Sequence, residues 1–95
     1  MRNYKLSSEA KEDLRRIYIY GYQNFGEAAA DSYFGEFFHA FERISNNPQY
    51  YQSVDHIRPG YRRCICGADC IFYRVKDSEI EIMAILGGQD TDHWL

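Results

Sequence analysis

No stretch of this chain approaches the roughly 20 apolar residues that a membrane-spanning helix needs. The N-terminal segment "MRNYKLSSEAKEDL" also lacks the apolar core of a secretory signal. The chain is therefore expected to act in the cytoplasm, with no membrane partner. No serine or cysteine nucleophile motif, phosphate-cradling loop or paired-carboxylate spacing occurs. Internal repeats and linker-like stretches are missing too, so residues 1–95 read as a single domain, large enough for one core without metal or disulfide staples. Cysteine is scarce and odd in number: Cys64, Cys66 and Cys70 suit a reduced compartment better than a disulfide framework. A zinc site would need a fourth ligand, with His56 the nearest candidate, and the spacing is unlike the usual paired motifs. No metal or other cofactor is expected.

What the chain has in surplus is aromatic surface. Phe, Trp and Tyr make up 17% of it, nine of them tyrosines. A domain this small cannot bury them all, and Tyr is enriched where proteins meet partners. Charge is modest in total, −3, which argues against bulk binding of nucleic acid. Its distribution is uneven. From Arg58 to Lys76 five basic residues face Asp69 alone, a local +4; from Asp77 onward five acids stand with no Lys or Arg, a local −5.

The order of elements follows from periodicity. "YKLSSEAKEDL" opens with a short alternating strand, then Ser7 as a helix N-cap with Glu9 and Glu12 in the first turn. Ala10, Leu14, Ile17, Tyr18, Gly21, Tyr22 and Phe25 recur at helical spacing up to a Gly26 terminator. In a second helix Ala30, Phe34, Phe37, Phe41 and Ile44 form one stripe that ends before Pro48. Tyr33, Phe38 and His39 flank that stripe. The segment "PQYYQSVDHIRPGYRR" reads as a loop punctuated by Pro48 and the Pro59-Gly60 turn. "YRRCI", "CIFYRV" and "IEIMAIL" then read as three strands joined by tight turns. The expected fold is α+β: an N-terminal strand, an antiparallel helical hairpin, then a three-stranded antiparallel meander. In the last strand strict alternation would place Ile80, Ile82, Ala84 and Leu86 on one face, with Glu81, Met83 and Ile85 on the other.

Four stretches carry a resemblance: "YKLSSEAKEDLRRI", "YFGEFFHAFERISNNP", "IRPGYRR…G…IFYRV" and "IEIMAILGGQD". Together they resemble the ParE branch of the RelE/ParE toxin superfamily of bacterial type II toxin–antitoxin modules, over nearly the whole chain. The resemblance implies the fold just derived. It also implies one of two activities: poisoning of DNA gyrase, as in ParE-like members, or ribosome-dependent cleavage of messenger RNA, as in RelE-like members. Either is silenced by a cognate antitoxin, here expected to be ParD-like, and operator DNA would be met only through that antitoxin. Many members carry arginine and histidine along the last strand where this chain has Ala84 and Gly87. RNA cleavage needs a base, an acid and cations on the phosphate. The expected activity is thus a non-enzymatic gyrase poison.

The candidate gyrase contacts are Arg58, Arg62, Arg63, Arg74, His93 and Trp94. The candidate antitoxin contacts are Tyr18, Tyr22, Tyr33, Phe38, Ile82, Ala84 and Leu86. The alternative endoribonuclease would use Arg62, Arg63, Tyr73 and His93. A third possibility is a degenerate toxin that keeps only antitoxin binding.

Overall fold

A computed structural model of the chain describes residues 3–87. Strand β1 (Tyr4–Leu6) leads through Ser7 into helix α1 (Ser8–Phe25), which Gly26 joins to helix α2 (Glu27–Asn46). A two-residue strand β2 (Gln52–Ser53) follows, then β3 (Tyr61–Cys66), β4 (Asp69–Lys76) and β5 (Glu79–Gly87). The sheet runs in the order β1-β5-β4-β3-β2. The last three strands form the expected meander. β1 adds to it in parallel, pairing Tyr4 with Ile80 and Leu6 with Ile82. β2 is the element the sequence did not announce: two polar residues carry no alternation, and only their pairing with Arg62 and Arg63 defines them.

Ser7 has an extended backbone and its hydroxyl accepts the Ala10 N–H at 3.0 Å, as an N-cap should. Gly26 closes the helix at φ 92°, its N–H bonding the Tyr22 carbonyl, and its carbonyl accepts the Ala30 N–H of the next helix. The α2 stripe lies against the sheet: Phe37, Phe41 and Ile44 are fully buried with Leu14, Ile71, Tyr73, Ile80, Ile82 and Ile85. The α1 stripe holds only in part. Ala10 and Leu14 are buried, but Tyr22 is half exposed and Phe25 is 70% exposed, because a groove rather than packed core lies beneath the last turns.

The opposite sheet face is not bare. Val54, Tyr61, Cys70 and Phe72 bury there, joined by Ile57, Met83 and Leu86. Val54 and Ile57 come from the loop between β2 and β3, which folds back through bonds from Ile57 and Arg58 N–H to the Val54 carbonyl.

Simple alternation fails in β5. Phe72 pairs with Ala84 while its neighbour Tyr73 pairs with Ile82, so β5 carries one extra residue, Met83. This β-bulge shifts the phase of every side chain beyond it. Ile80 and Ile82 face the helices, but so does Ile85, whereas Met83 and Leu86 belong to the opposite cluster. Ile82, Ala84 and Leu86 therefore do not share a face. Ile82 is wholly buried under the helices, Ala84 is buried opposite Phe72, and of the three only Leu86 presents surface.

Two turns set the meander. Gly67, at φ 59°, opens the β3–β4 turn beneath Tyr33; a Cβ there would stand 2.6 Å from Tyr33 Cε1. The β4–β5 turn puts Asp77 and Ser78 both at positive φ, which suits the sheet twist but strains Ser78. Gly35, within α2, has open space where a Cβ would go. Ser78→Gly and Gly35→Ala should each stabilise the protein by about 1 kcal/mol, through relief of strain and through helix propensity. Gly67→Ala should cost about 2 kcal/mol or more. Urea unfolding midpoints check all three, and a neutral Gly67→Ala would contradict the packing described.

Candidate partner-binding surfaces

The first surface is an apolar groove of about 840 Å³ between the hairpin and the β3–β4 turn. Its walls are Tyr18, Tyr20 and Phe25 of α1, Ala29, Tyr33 and Phe34 of α2, and Ala68, Asp69 and Gly87 of the sheet. Gly21 and Ala30 also line it, and a Cβ on Gly21 would touch Ala30 at 3.6 Å. Tyr18 stands edge-on to Phe34 and donates its hydroxyl to Asp31 Oδ1 at 2.6 Å. That bond to a carboxylate pushes its pKa up to about 12. Tyr33 locks the far wall. Its hydroxyl lies 2.8 Å from Asp69 Oδ2 and 2.9 Å from the Cys66 carbonyl, and accepts the Ala68 N–H at 3.2 Å. Burial first, then the Asp69 carboxylate, raises its pKa strongly.

Of the expected antitoxin contacts, Tyr18 and Tyr33 line this groove, while the Tyr22 ring lies tilted to that of Tyr18 at 6.4 Å between centroids. Phe38 packs between Phe34 and Phe41 at the flank of the core. Sequence reading missed Tyr20, Phe25 and Ala29. Tyr20 and Phe25 are, at 61% and 70%, among the most exposed apolar side chains described. The available signal was that α1 has more aromatics than one stripe can bury.

The second surface is basic, and folding divides what the sequence groups. Arg62 lies on the helix side of β3; Arg63 and Arg74 lie on the opposite side, level with Phe72 and Tyr61. Arg58 and Arg74 both reach the Tyr61 ring, at 5.9 and 5.8 Å from its centroid. Antiparallel pairing of β4 with β5 also interleaves the charge blocks. Arg74 Nε donates to Glu81 Oε1 at 2.6 Å, and Lys5 stands 3.4 and 3.5 Å from Glu79 and Glu81. The hydrogen bond from Arg74 holds the Glu81 carboxyl below its usual range. The +4 block of the sequence is thus partly neutralised by the acidic block that follows it.

Arg62 and Arg63 keep their charge unpaired by carboxylates among the described residues. Arg62 donates to the Tyr51 carbonyl at 2.7 Å and to Gln49 at 3.2 Å, and Arg63 donates to Gln52 at 2.6 Å. The shielded Nε of Arg63 has no acceptor among the described residues. Tyr73 is fully buried and donates its hydroxyl to the Pro48 carbonyl at 2.6 Å, so it is not available to a substrate in this conformation. His93 and Trp94 lie outside the described residues. Cys64 and Cys66 point into the helix-side core and Cys70 into the opposite cluster, so the three thiols do not converge. Burial raises all three, Cys66 to about 11.

A ParE toxin family model, of the parDE type II toxin–antitoxin system, matches residues 4–91. The chain belongs to the ParE toxin family. It is 38% identical to Toxin ParE1 of Caulobacter vibrioides over 86 residues, 90% of this chain and 88% of that protein. Toxin ParE1 of Mycobacterium tuberculosis is 36% identical over 84 residues, 87% and 86% of the two chains. Among solved structures, the chromosomal ParDE system of P. aeruginosa superposes with a TM-score of 0.81 at 21% identity, covering 92% of this chain and 96% of that one. The YoeB–YefM complex of Staphylococcus aureus gives 0.60 at 19% identity, covering 90% and 95%. This ParE-family chain is thus a toxin of the type II toxin–antitoxin class with the fold its sequence implied.

Tyr18, Tyr33 and Tyr73 are all shifted upward. A tyrosine raised in the folded state favours folding below its unfolded pKa of about 10 and loses that contribution as pH climbs through the folded value. Alkaline titration at 295 nm should therefore show Tyr4, Tyr18, Tyr33 and Tyr73 ionising late, and stability should fall from about pH 10 upward. Tyr18→Phe should remove one late transition, near pH 12; an unchanged curve would contradict the Asp31 bond.

Proposed function

We propose that this ParE-family toxin blocks replication by poisoning DNA gyrase in the cytoplasm, and that a ParD-like antitoxin silences it by filling the groove of Tyr18, Tyr20, Phe25 and Tyr33. One observation carries the activity: the sheet lacks an accessible acid–base set among the described residues. The Tyr73 hydroxyl is sequestered on Pro48, and Glu81 is held ionised beside Arg74, which makes it a weak base. Ala84 and Gly87 supply no group at all. What the sheet face away from the helices does offer is guanidinium beside aromatic rings, with Arg58 and Arg74 at Tyr61 and Arg63 paired across the strands with Phe72. Such groups dominate protein contact energies without doing chemistry.

The antitoxin reading is supported by the groove's chemistry. It is mostly apolar, with aromatic walls and small residues at Gly21, Ala29, Ala30, Ala68 and Gly87, and it suits the apolar face of an amphipathic helix. Of the three expected strand contacts only Leu86 keeps surface, on the sheet face away from the groove, whereas Ile82 and Ala84 are already spent in the core. Any operator contact is assigned to the antitoxin, in keeping with the chain's net charge of −3.

Purified toxin should inhibit gyrase supercoiling or trap cleaved DNA, and Arg58→Glu with Arg63→Glu should abolish the effect. No inhibition at high molar excess, together with discrete cuts within codons by primer extension, would establish the ribonuclease instead. Growth unaffected by expression without antitoxin would mark a degenerate toxin. In the groove, Ala29→Glu should weaken antitoxin binding by more than tenfold, since it buries a charge against apolar surface. An unchanged affinity with an unchanged melting temperature would move the antitoxin elsewhere.

A further inference from the structure

The β2 edge carries a constellation, Tyr50 with Arg62 and Arg63, that the groove does not use and of which the proposed gyrase-facing cluster shares only Arg63. Tyr50 is 81% exposed, the most exposed of the large apolar side chains described, and it stands edge-on to Tyr51 at 5.1 Å. Beside it Arg62 and Arg63 leave β3 on opposite faces, each held by the segment that carries Tyr50: Arg62 by Gln49 and the Tyr51 carbonyl, Arg63 by Gln52. All three acceptors are neutral. They fix the direction of the guanidinium groups without cancelling their charge, unlike the carboxylates that hold Arg16 and Arg74.

We propose that this edge is a binding site for a single-stranded polynucleotide, with Tyr50 stacking on an unpaired base and Arg62 and Arg63 taking two backbone phosphates. The surroundings favour this occupant over an acidic protein. A protein interface wants an apolar centre, yet the exposed neighbours of Tyr50 in the chain are Asn46, Asn47, Gln49, Gln52 and Ser53. One free ring among amides and guanidinium groups is instead the composition that tracks a single strand, because every base has a face to stack. A duplex hides those faces, and a two-residue strand offers too little surface to read a groove. The site acts without gyrase, so it stands whether or not the toxin poisons that enzyme.

Fluorescence anisotropy of labelled oligothymidylate with the purified toxin tests the site directly. Two phosphate contacts should give a slope of about −1.4 in log affinity against log salt. Tyr50→Ala should weaken binding about tenfold with the slope unchanged, and Tyr50→Phe should restore it. Arg62→Gln or Arg63→Gln should each flatten the slope by about 0.7. Equal affinity for a duplex of the same length, a flat salt dependence, or full binding by Tyr50→Ala would overturn the proposal. Preference for polyglutamate over the oligonucleotide would assign the edge to an acidic protein instead.

Discussion

The hydroxyl of Ser7 joins the two halves of this protein. It accepts the Ala10 N–H that starts α1 and donates to the Met83 carbonyl at 2.9 Å, while the Ser7 N–H bonds the Ile82 carbonyl. β1 ends at Leu6, so β5 beyond Ile82 has no strand on that side. Helix α1 takes over: Asp13 accepts the Ile85 N–H at 2.9 Å, and Arg16 bridges Asp13 and the Ile85 carbonyl. An edge that would otherwise template strand addition is thereby closed by three side chains of one helix. The same bonds satisfy the carbonyl freed by the bulge at Met83, which would be costly to leave bare.

That arrangement governs both surfaces. The bulge sends Ile85 under the helices and turns Leu86 outward. The Ser7 cap starts α1 beside β5, and the last turns of α1 line the groove together with Gly87. On the other side of the sheet, the row Lys5, Glu81, Arg74 and Tyr61 crosses four strands in register. Charges that the chain keeps in separate blocks alternate there, which lowers the field over the sheet centre. Arg62 and Arg63, which have no carboxylate partner among the described residues, stand toward the β2 edge.

Much of this was readable before any coordinates. The helical hairpin, its Gly26 junction, the α2 stripe and the three-strand meander follow from periodicity and turn chemistry, since local rules decide them. Three features did not follow. β2 has no pattern of its own and exists only through its pairing partners. The bulge at Met83 is invisible in a run where every residue except Glu81 is apolar, because no polar residue marks the phase. The division of Arg62 from Arg63 needs only strand alternation, yet sequence clustering obscured it. Tyr73 likewise read as a site residue of the alternative endoribonuclease, and only its burial and its bond to Pro48 identify it as a support for the loop that leads to β2.

The strand order has a consequence for how the molecule comes into being. β5 is made last, yet it lies between β1 and β4 and supplies the backbone that Ser7, Asp13 and Arg16 hold. Until it arrives, the first strand has no neighbour, the hairpin lacks half its floor, and Arg74 has no counter-charge. The sheet therefore cannot close around this core until β5 has left the ribosome. The interval in which a newly made antitoxin must find its target begins only when the final strand closes the sheet.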